Sequence, residues 1–356
     1  MDQTPYASLI EMFMHPVFLV ENGIIINANQ YALDHQITVG SNVQEFIVSG
    51  LEEYKNFGGV CLSLTVRFCD CDYVASVSRQ DQLDIFQIPS GYDNNDLKTV
   101  ALAAKQLRGP LANAMVSADR LFPNPALQSD KSAQKQIGQI NRNLYQLLRT
   151  VNNMADASSE ISSISGAEQT LDIVAIFHET IHRMTEMVAS TKRTLVYKEP
   201  HQSVYCLINQ RMVERAIYNL VSNAVKFSPE GSKIIASLTK KGEKLLFTVE
   251  NQCEDLNSEN IRSIFNRYQR QPALEDSRYG LGLGMRIVQN AASIHGGTLL
   301  LEQPEKDMIR FTMTISLKKG QNVVRTPSVT ILSGGYDDCL IELSEILPET
   351  YFTNIN

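Results

Sequence analysis

The stretch MVERAIYNLVSNAVKFSPEG (212–231) places Asn219 and Asn223 four apart, with Lys226 three further on. On a helix all three project from one face, while Ala216, Ile217, Leu220, Val221 and Ala224 fill the other. Amide oxygens on such a face suit Mg2+, a hard cation that takes oxygen ligands alongside phosphate, and Lys226 can sit against phosphate or ribose. Asn223 is the candidate metal ligand, and Asn219 the candidate for positioning water or phosphate. Further on, YGLGLGMRIVQNAASIHGG (279–297) sets Gly280, Gly282 and Gly284 around Leu283 in a turn that opens a helix. Backbone N–H groups of a glycine turn can approach an anion closely, and the helix N-terminus adds a favourable dipole. A competing pattern is His178-Glu179-Thr180-Ile181-His182, the H-E-x-x-H spacing of zinc metalloproteases. Its third ligand would have to be Glu199, His201 or Glu214, none at a characteristic spacing.

The chain that must position these residues has 356 of them, enough for two or three domains. At 43% apolar and 20% charged it reads as globular, which excludes disordered, collagen-like and disulfide-scaffold classes. No run approaches the roughly 18–20 apolar residues of a membrane span, and the first residues lack a signal-peptide pattern, so the expected compartment is the cytoplasm. The six cysteines read as reduced thiols; Cys69 and Cys71 form a lone C-x-C without the second pair a zinc site needs. The net charge of −7 is uneven: residues 1–96 carry 3 Lys/Arg against 13 Asp/Glu, and residues 97–160 carry 8 against 4. The acidic first segment argues against nucleic acid as a partner, and the basic charges of the second are spread as on a solvated helix face.

In the first segment, two apolar runs flank Glu21-Asn22-Gly23, a strong hairpin signal. Three alternating runs follow at 61–68, 72–79 and 83–89, with short helices and loops between. This order, with the phrase PVFLVENGIIINANQYALDHQ, resembles a PAS domain, a small sensor module on a five-stranded sheet. The resemblance implies a sensor over residues 1–94 and names no ligand. His35 reads as an ordinary surface or core residue, and Cys61, Cys69 and Cys71 as small packing residues.

From residue 97 the period changes. Leu97, Val100, Ala104, Leu107, Leu111, Ala114, Ala118 and Leu121 alternate at spacings of three and four, as do Ile137, Ile140, Leu144, Leu147, Val151 and Met154. FPNPALQSD (122–130) separates the two helices. A hairpin with so narrow a seam cannot bury it alone, so a second copy is expected to complete a four-helix bundle, a homodimer through residues 97–157. Gly109-Pro110 should kink the first helix. KQLRGPLANAM (105–115) resembles the H-box of sensor histidine kinases, with Leu107, Arg108, Pro110 and Leu111 in register. Lys105 stands at the phosphoacceptor position and Gln106 at that of its acidic neighbour. A phosphoacceptor needs a neutral imidazole nitrogen helped by a carboxylate; an ammonium in water is a poor nucleophile and an amide is no base. Residues 95–160 read as the dimerisation (DHp-like) hairpin, and 97–160 contain no histidine.

From about residue 168 an α/β pattern begins: helices at 171–190 and 209–227, and strands near 194–198, 233–240, 244–251, 298–302 and 308–317. The Asn-bearing helix and the glycine turn together resemble the N-box and G2-box of the Bergerat ATPase fold shared by histidine kinases, gyrase-type ATPases and ATP-dependent heat-shock chaperones. The resemblance implies Mg·ATP as ligand over residues 161–318. At the G1-box of that family, Asn251 takes the place of the adenine-binding Asp, and Cys253 and Asp255 those of two glycines. An Asn amide oxygen can still accept from an adenine amino group, while lost glycines hinder close backbone approach. SIFNRYQR (263–270) resembles the F-box, with Arg267 and Arg270 as phosphate contacts from the lid.

Residues 319–356 read as a strand interrupted by Pro327, a Gly334-Gly335 turn and an amphipathic helix at 336–347. Docking on a sheet edge is the plain expectation; a partner-binding or autoinhibitory tail is the other. The whole is thus expected to be an α+β multidomain protein: PAS-like sensor, antiparallel hairpin in a dimeric bundle, and Bergerat-fold α/β sandwich. The expected function is a histidine-kinase-like regulator that binds Mg·ATP without the usual autophosphorylation and is read by a response regulator or a partner kinase. Three alternatives stand: a kinase acting on another residue or partner, a nucleotide-free dimeric scaffold, and a zinc metalloprotease.

Overall fold

Asn22 and Gly23 both hold positive φ, 50° and 81°. They close a two-residue hairpin between β1 (Val17–Glu21) and β2 (Ile24–Ala28), the geometry Asn-Gly favours because both positions lie in the left-handed region. The computed structural model describes residues 7–80, 82–88, 94–122, 127, 130–157, 168–253, 283–318 and 336–353. After α1 (Ala7–Ile10) and the hairpin come α2 (Gln30–Asp34), β3 (Ile47–Ser49) and α3 (Leu51–Lys55). The three alternating runs form β4 (Cys61–Phe68), β5 (Cys71–Gln80) and β6 (Leu83–Gln87), paired antiparallel in order. Phe18 and Phe86 stack at 4.9 Å in the core beneath them, with Tyr54 edge-on to Phe86. Of the three N-terminal cysteines only Cys61 packs inside. Cys69 and Cys71 are exposed at the tip of the β4–β5 hairpin, where Cys69 and Asp70 make the turn, so packing does not account for them.

The two helical runs are α4 (Asn94–Leu121) and α5 (Lys131–Ala157). Arg108, midway along α4, donates to Asn152, late in α5, as the chain folds back after residues 122–130. α4 runs on through Gly109 and Pro110 as one helix, with Ala104, Met115 and Ala118 buried on either side of the proline's missing backbone donor. The seam splits into two columns. Ala104, Ala118, Ile137 and Val151 are buried, while Leu107, Leu121, Ile140 and Leu147 are 52%, 66%, 47% and 54% exposed.

The last part opens with β7 (Gln169–Asp172), α6 (Ile173–Ala189), β8 (Thr194–Lys198), β9 (Tyr205–Ile208) and α7 (Gln210–Phe227). There follow β10 (Lys233–Lys241), β11 (Lys244–Gln252), α8 (Leu283–Ile294), β12 (Leu299–Glu302), β13 (Met308–Ser316) and α9 (Asp338–Leu343). β7 pairs with β9 in a small sheet of its own that the hydropathy pattern does not reveal, each strand being only four residues long. α6, α7 and α8 pack on the larger sheet through a core that includes Phe177 against Phe247 at 4.7 Å.

β4 and β12 pair antiparallel through Leu62↔Leu300, which joins the N-terminal strands to the C-terminal ones. Among the described residues the result is one eleven-stranded sheet, ordered β2-β1-β6-β5-β4-β12-β13-β11-β10-β8, with β3 beside β4. The Val60 N–H donates to the Leu301 carbonyl at 2.9 Å, Thr65 and Ser293 hydroxyls meet at 2.6 Å, and Lys244 pairs with Glu53 at 2.5 Å. Gly59 allows this approach: a Cβ there would lie 2.8 Å from the Leu301 oxygen. Gly59→Ala is expected to cost about 1–3 kcal/mol by overpacking the joint. Chemical denaturation checks it, and a change below about 0.5 kcal/mol, the size of an ordinary surface substitution, would mean that the two edges do not meet in solution.

Candidate functional site

α7 begins at Asn209, whose side chain caps the helix by accepting from the Met212 N–H at 3.2 Å. The Asn209 N–H itself donates to Nε2 of buried His295 at 3.0 Å, and His295 Nδ1 lies 2.7 Å from the Ala291 carbonyl. A carbonyl only accepts, so Nδ1 carries the proton and the ring is neutral. Burial pulls its pKa below the usual histidine value, in keeping with that assignment. The start of α7 is thereby pinned to the end of α8. One turn from its other end, α8 touches α7 again: a Cβ on Gly284 would overlap the Asn219 amide oxygen. Asn219 is 1% exposed, and its Nδ2 donates back to the Arg215 carbonyl at 2.8 Å.

Most of the polar face of α7 is covered, with Arg211 exposed at its start. Arg211, Arg215, Asn219, Ser222 and Lys226 continue it at spacings of four, four, three and four, and α5 and the segment 336–353 cover it. Arg215 is buried against Glu342 of α9, with which it is in close contact, and against Asp156 of α5 at 2.8 Å, the latter off the hydrogen-bonding direction. Arg149 of α5 reaches Glu342 at 3.3 Å and Glu345 at 3.0 Å, and donates to Ser222 at 3.1 Å. Glu345 also takes Lys226 at 2.7 Å, and Asp156 takes Arg211 at 3.0 Å. The charges alternate along one continuous row: Lys226, Glu345, Arg149, Glu342, Arg215, Asp156, Arg211. Burial lowers the Arg215 pKa, opposed chiefly by Asp156. Burial works to raise Glu345, but Arg149 and Lys226 more than offset it and hold its carboxyl below the usual range.

The described part of the tail, 336–353, packs on α5 and α7 rather than on a sheet edge, and the strand expected at 323–332 lies outside the described residues. Cys339, Ile341, Leu343, Leu347 and Phe352 are fully buried, and the Phe352 and Tyr336 rings meet Tyr145 edge-on at 5.4 and 5.8 Å. Its last carbonyls, which a short helix leaves without partners, are taken by α5. Arg142 donates to Ser344 and Glu345 at 3.0 and 2.9 Å, and Asn141 to Phe352 at 2.9 Å. The helix expected over 336–347 is shorter, Asp338–Leu343, started by an Asp337 cap.

The expected site residues fall as follows. Asn219 and Gly284 are in contact across α7 and α8, Leu283 is buried beside Ile287, and Asn223 and Lys226 are half-buried along α7. Asn251 lies on β11, buried, its Nδ2 donating to the Gln252 carbonyl at 2.7 Å. Arg267, Arg270, Gly280, Gly282 and Asp255 lie outside the described residues. Lys105 and Gln106 are exposed on α4. His178 stacks on His182 at 5.9 Å and its Nδ1 meets Glu199 at 2.8 Å, yet among the described residues no group of three His, Cys, Asp or Glu could hold a metal ion. Sequence reasoning missed Arg149, Arg211, Arg215, Glu342 and Glu345. The i, i+4 run from Arg211 through Arg215 to Asn219, and Arg142, Arg149 and Asp156 seven apart, were the signals available.

The donor set fits Mg2+ and phosphate: amide oxygens on Asn219 and Asn223, and an ammonium on Lys226 that takes a carboxylate oxygen here. A helix-on-sheet body with this face matches the family described as histidine kinase-, DNA gyrase B-, and HSP90-like ATPase over residues 208–319. Over 195 residues the chain is 25% identical to the Sensor protein KdpD of Clostridium acetobutylicum, covering 54% of this chain and 21% of that one. Over 171 residues it is 24% identical to the Heme sensor protein HssS of Staphylococcus epidermidis, covering 46% and 37% respectively. A solved structure of full-length ShkA in complex with AMPPNP is 16% identical, with a TM-score of 0.49 over 63% of this chain and 46% of that one. The chain thus carries a GHKL-type ATPase domain over residues 208–319 and is similar to sensor histidine kinases. It spans well under two thirds of the length of the curated relatives named. Among the described residues no helix is long and apolar enough to cross a membrane.

The row of charges has a measurable weight. Arg215→Ala leaves Glu342 and Asp156 facing each other without their shared cation, and is expected to destabilise the protein by about 3–5 kcal/mol. Denaturant unfolding measures this; a loss under about 1 kcal/mol, the value of an exposed pair, would mean that the row is solvated.

Proposed function

We propose that this chain is a signalling protein of histidine kinase descent that binds Mg·ATP and does not autophosphorylate by the usual route. The observation that carries the second half is the pair Lys105 and Gln106, exposed on α4 where the family resemblance expects an imidazole and its acidic neighbour, in a hairpin whose residues 97–160 contain no histidine. Asn219, Asn223 and Lys226, the neighbouring Gly284, and Asn251 on β11 support the first half. Gly280, Gly282, Leu283, Arg267 and Arg270 complete the assignment from the resemblance. In this reading Mg·ATP supplies a doubly anchored polyanion rather than a phosphoryl donor. Asn223 holds the metal, Asn219 orients water or phosphate, Lys226 neutralises charge, and the Asn251 amide oxygen accepts from the adenine amino group.

Residues 1–94 act as a PAS-like sensor, 95–160 as the dimerisation hairpin, 161–318 as the nucleotide domain and 319–356 as an extension. The strand order β2-β1-β6-β5-β4 of the N-terminal half and the outward column of Leu107, Leu121, Ile140 and Leu147 support the first two assignments. Input at the sensor or nucleotide occupancy shifts the bundle, and a response regulator or partner kinase reads that shift. The pairing of Lys226 with Glu345 favours a second reading, a scaffold that binds no nucleotide.

Calorimetric titration with Mg·ADP separates the two. Micromolar binding that Asn223→Ala weakens about tenfold, a loss of about 1.4 kcal/mol, supports nucleotide as ligand. Absence of heat at millimolar ligand supports the scaffold. Incubation with γ-labelled ATP, alone and with candidate partners, is expected to leave all proteins unlabelled, and label on any of them would restore a kinase. For the dimer, Leu107→Glu with Leu147→Glu is expected to halve the sedimenting mass of the native protein by placing charges in the apolar column. An unchanged mass would place the interface elsewhere.

A further inference from the structure

Lys226 is assigned to a nucleotide phosphate, yet its ammonium is bonded to the carboxylate of Glu345 at 2.7 Å. The same carboxylate oxygen takes Arg149 at 3.0 Å. Glu345 is set there by a segment whose apolar residues are fully buried and whose carbonyls are held by Arg142, Gln146 and Asn141. Its neighbour Glu342 fills the space between Arg149 and Arg215. An acidic pair three residues apart thus occupies the cations that line the face of α7 on which Asn219 and Asn223 lie.

We infer that the C-terminal segment 336–353 is an anionic plug of the nucleotide site, in which Glu345 takes the place of a phosphate on Lys226 and Arg149, so that seating of the segment and binding of Mg·ATP exclude each other. The inference rests on the nucleotide-site reading above and adds its regulation. One ammonium in a partly buried setting cannot keep a short bond to a carboxylate and also neutralise a phosphate, because the two anions would repel at contact distance. The nucleotide must therefore displace Glu345, and since Arg142 and Arg149 link Glu345 to α5, displacement loosens the hairpin on the side of α5 that faces α7. The apparent affinity of the native protein is lowered by the fraction of molecules in which the plug is seated. The arrangement also gives Arg149, a hairpin residue, a place in phosphate binding once the plug has left.

The test uses the full chain with Mg·ATP as probe. Glu345→Gln keeps the shape and removes the charge, and is expected to bind Mg·ATP about tenfold tighter than the native protein, as when a competing state is removed from nine molecules in ten. Equal affinity of the two proteins overturns the plug and leaves the nucleotide site standing; no binding by either at millimolar Mg·ATP removes both. A second measurement needs no variant. In the native protein at saturating Mg·ATP, backbone amides of residues 340–347 are expected to exchange with deuterium at least tenfold faster, and unchanged protection there overturns the plug even where nucleotide binds.

Discussion

Seven side chains of alternating charge run between three parts of this chain that are far apart in sequence. α7 supplies Lys226, Arg215 and Arg211, α5 supplies Arg149 and Asp156, and the C-terminal segment supplies Glu342 and Glu345. Burying any one alone would cost several kcal/mol of lost hydration, so each inner member is tolerable only with a partner on either side. Apolar packing seats the segment, through Ile341, Leu343, Leu347 and Phe352, and the charges then dictate its register. A shift of one residue would turn Glu342 and Glu345 away from Arg149 and leave two arginines facing each other. The hairpin, the helix bearing Asn219 and the tail are therefore one cooperative unit in this state.

The second joint lies where β12, at the edge of the C-terminal strands, meets β4. Pairing β4 with β12 leaves neither edge unpaired along that stretch, and unpaired edges invite association. It also gives the N-terminal half a direct path inward. Thr65 on β4 bonds Ser293 near the end of α8, and the first turn of α8 presses Gly284 against Asn219. α8 is thus held by β4 and the start of α7 at one end and by Asn219 of α7 at the other. A rigid helix of 12 residues can carry a displacement between those contacts without any change in its own hydrogen bonds.

Local pattern announced most of the elements because each had a short-range cause. Asn22-Gly23 closes the first hairpin since both residues accept positive φ; Val17 to Val20 and the alternation in β5 and β6 follow the sheet; α6 and α7 follow the 3.6-residue period. What escaped was long-range. The β4–β12 pairing depends on two edges that only the folded domains present, and four-residue strands such as β7 and β9 carry too little pattern to register. At the site, Asn219, Asn223 and Lys226 were legible as one face of a helix. Their neighbours Arg211 and Arg215 were not, because an arginine on a helix reads as solvated until its anion is known, and Glu342 lies more than 120 residues away. The same long range hid that Gly284 serves close contact with Asn219.

The charge row also has a sign. Its four cations, Lys226, Arg149, Arg215 and Arg211, face three carboxylates, so the row carries one surplus positive charge, shared between ends that still reach water. Lys226 and Glu345 are the more accessible at one end, with 21% and 35% of their side chains exposed, whereas Glu342 at the centre is sealed at 2%. A single added negative charge would balance the row as it stands. A group with two or more would over-fill it and push out the carboxylate with the weakest hold and the easiest path to water. That carboxylate is Glu345: water can rehydrate it as it leaves, while expelling Glu342 would strand Arg149 and Arg215 together in a dry interior. The order in which this interface opens is therefore set by solvent access along the row, from the Lys226 end inward.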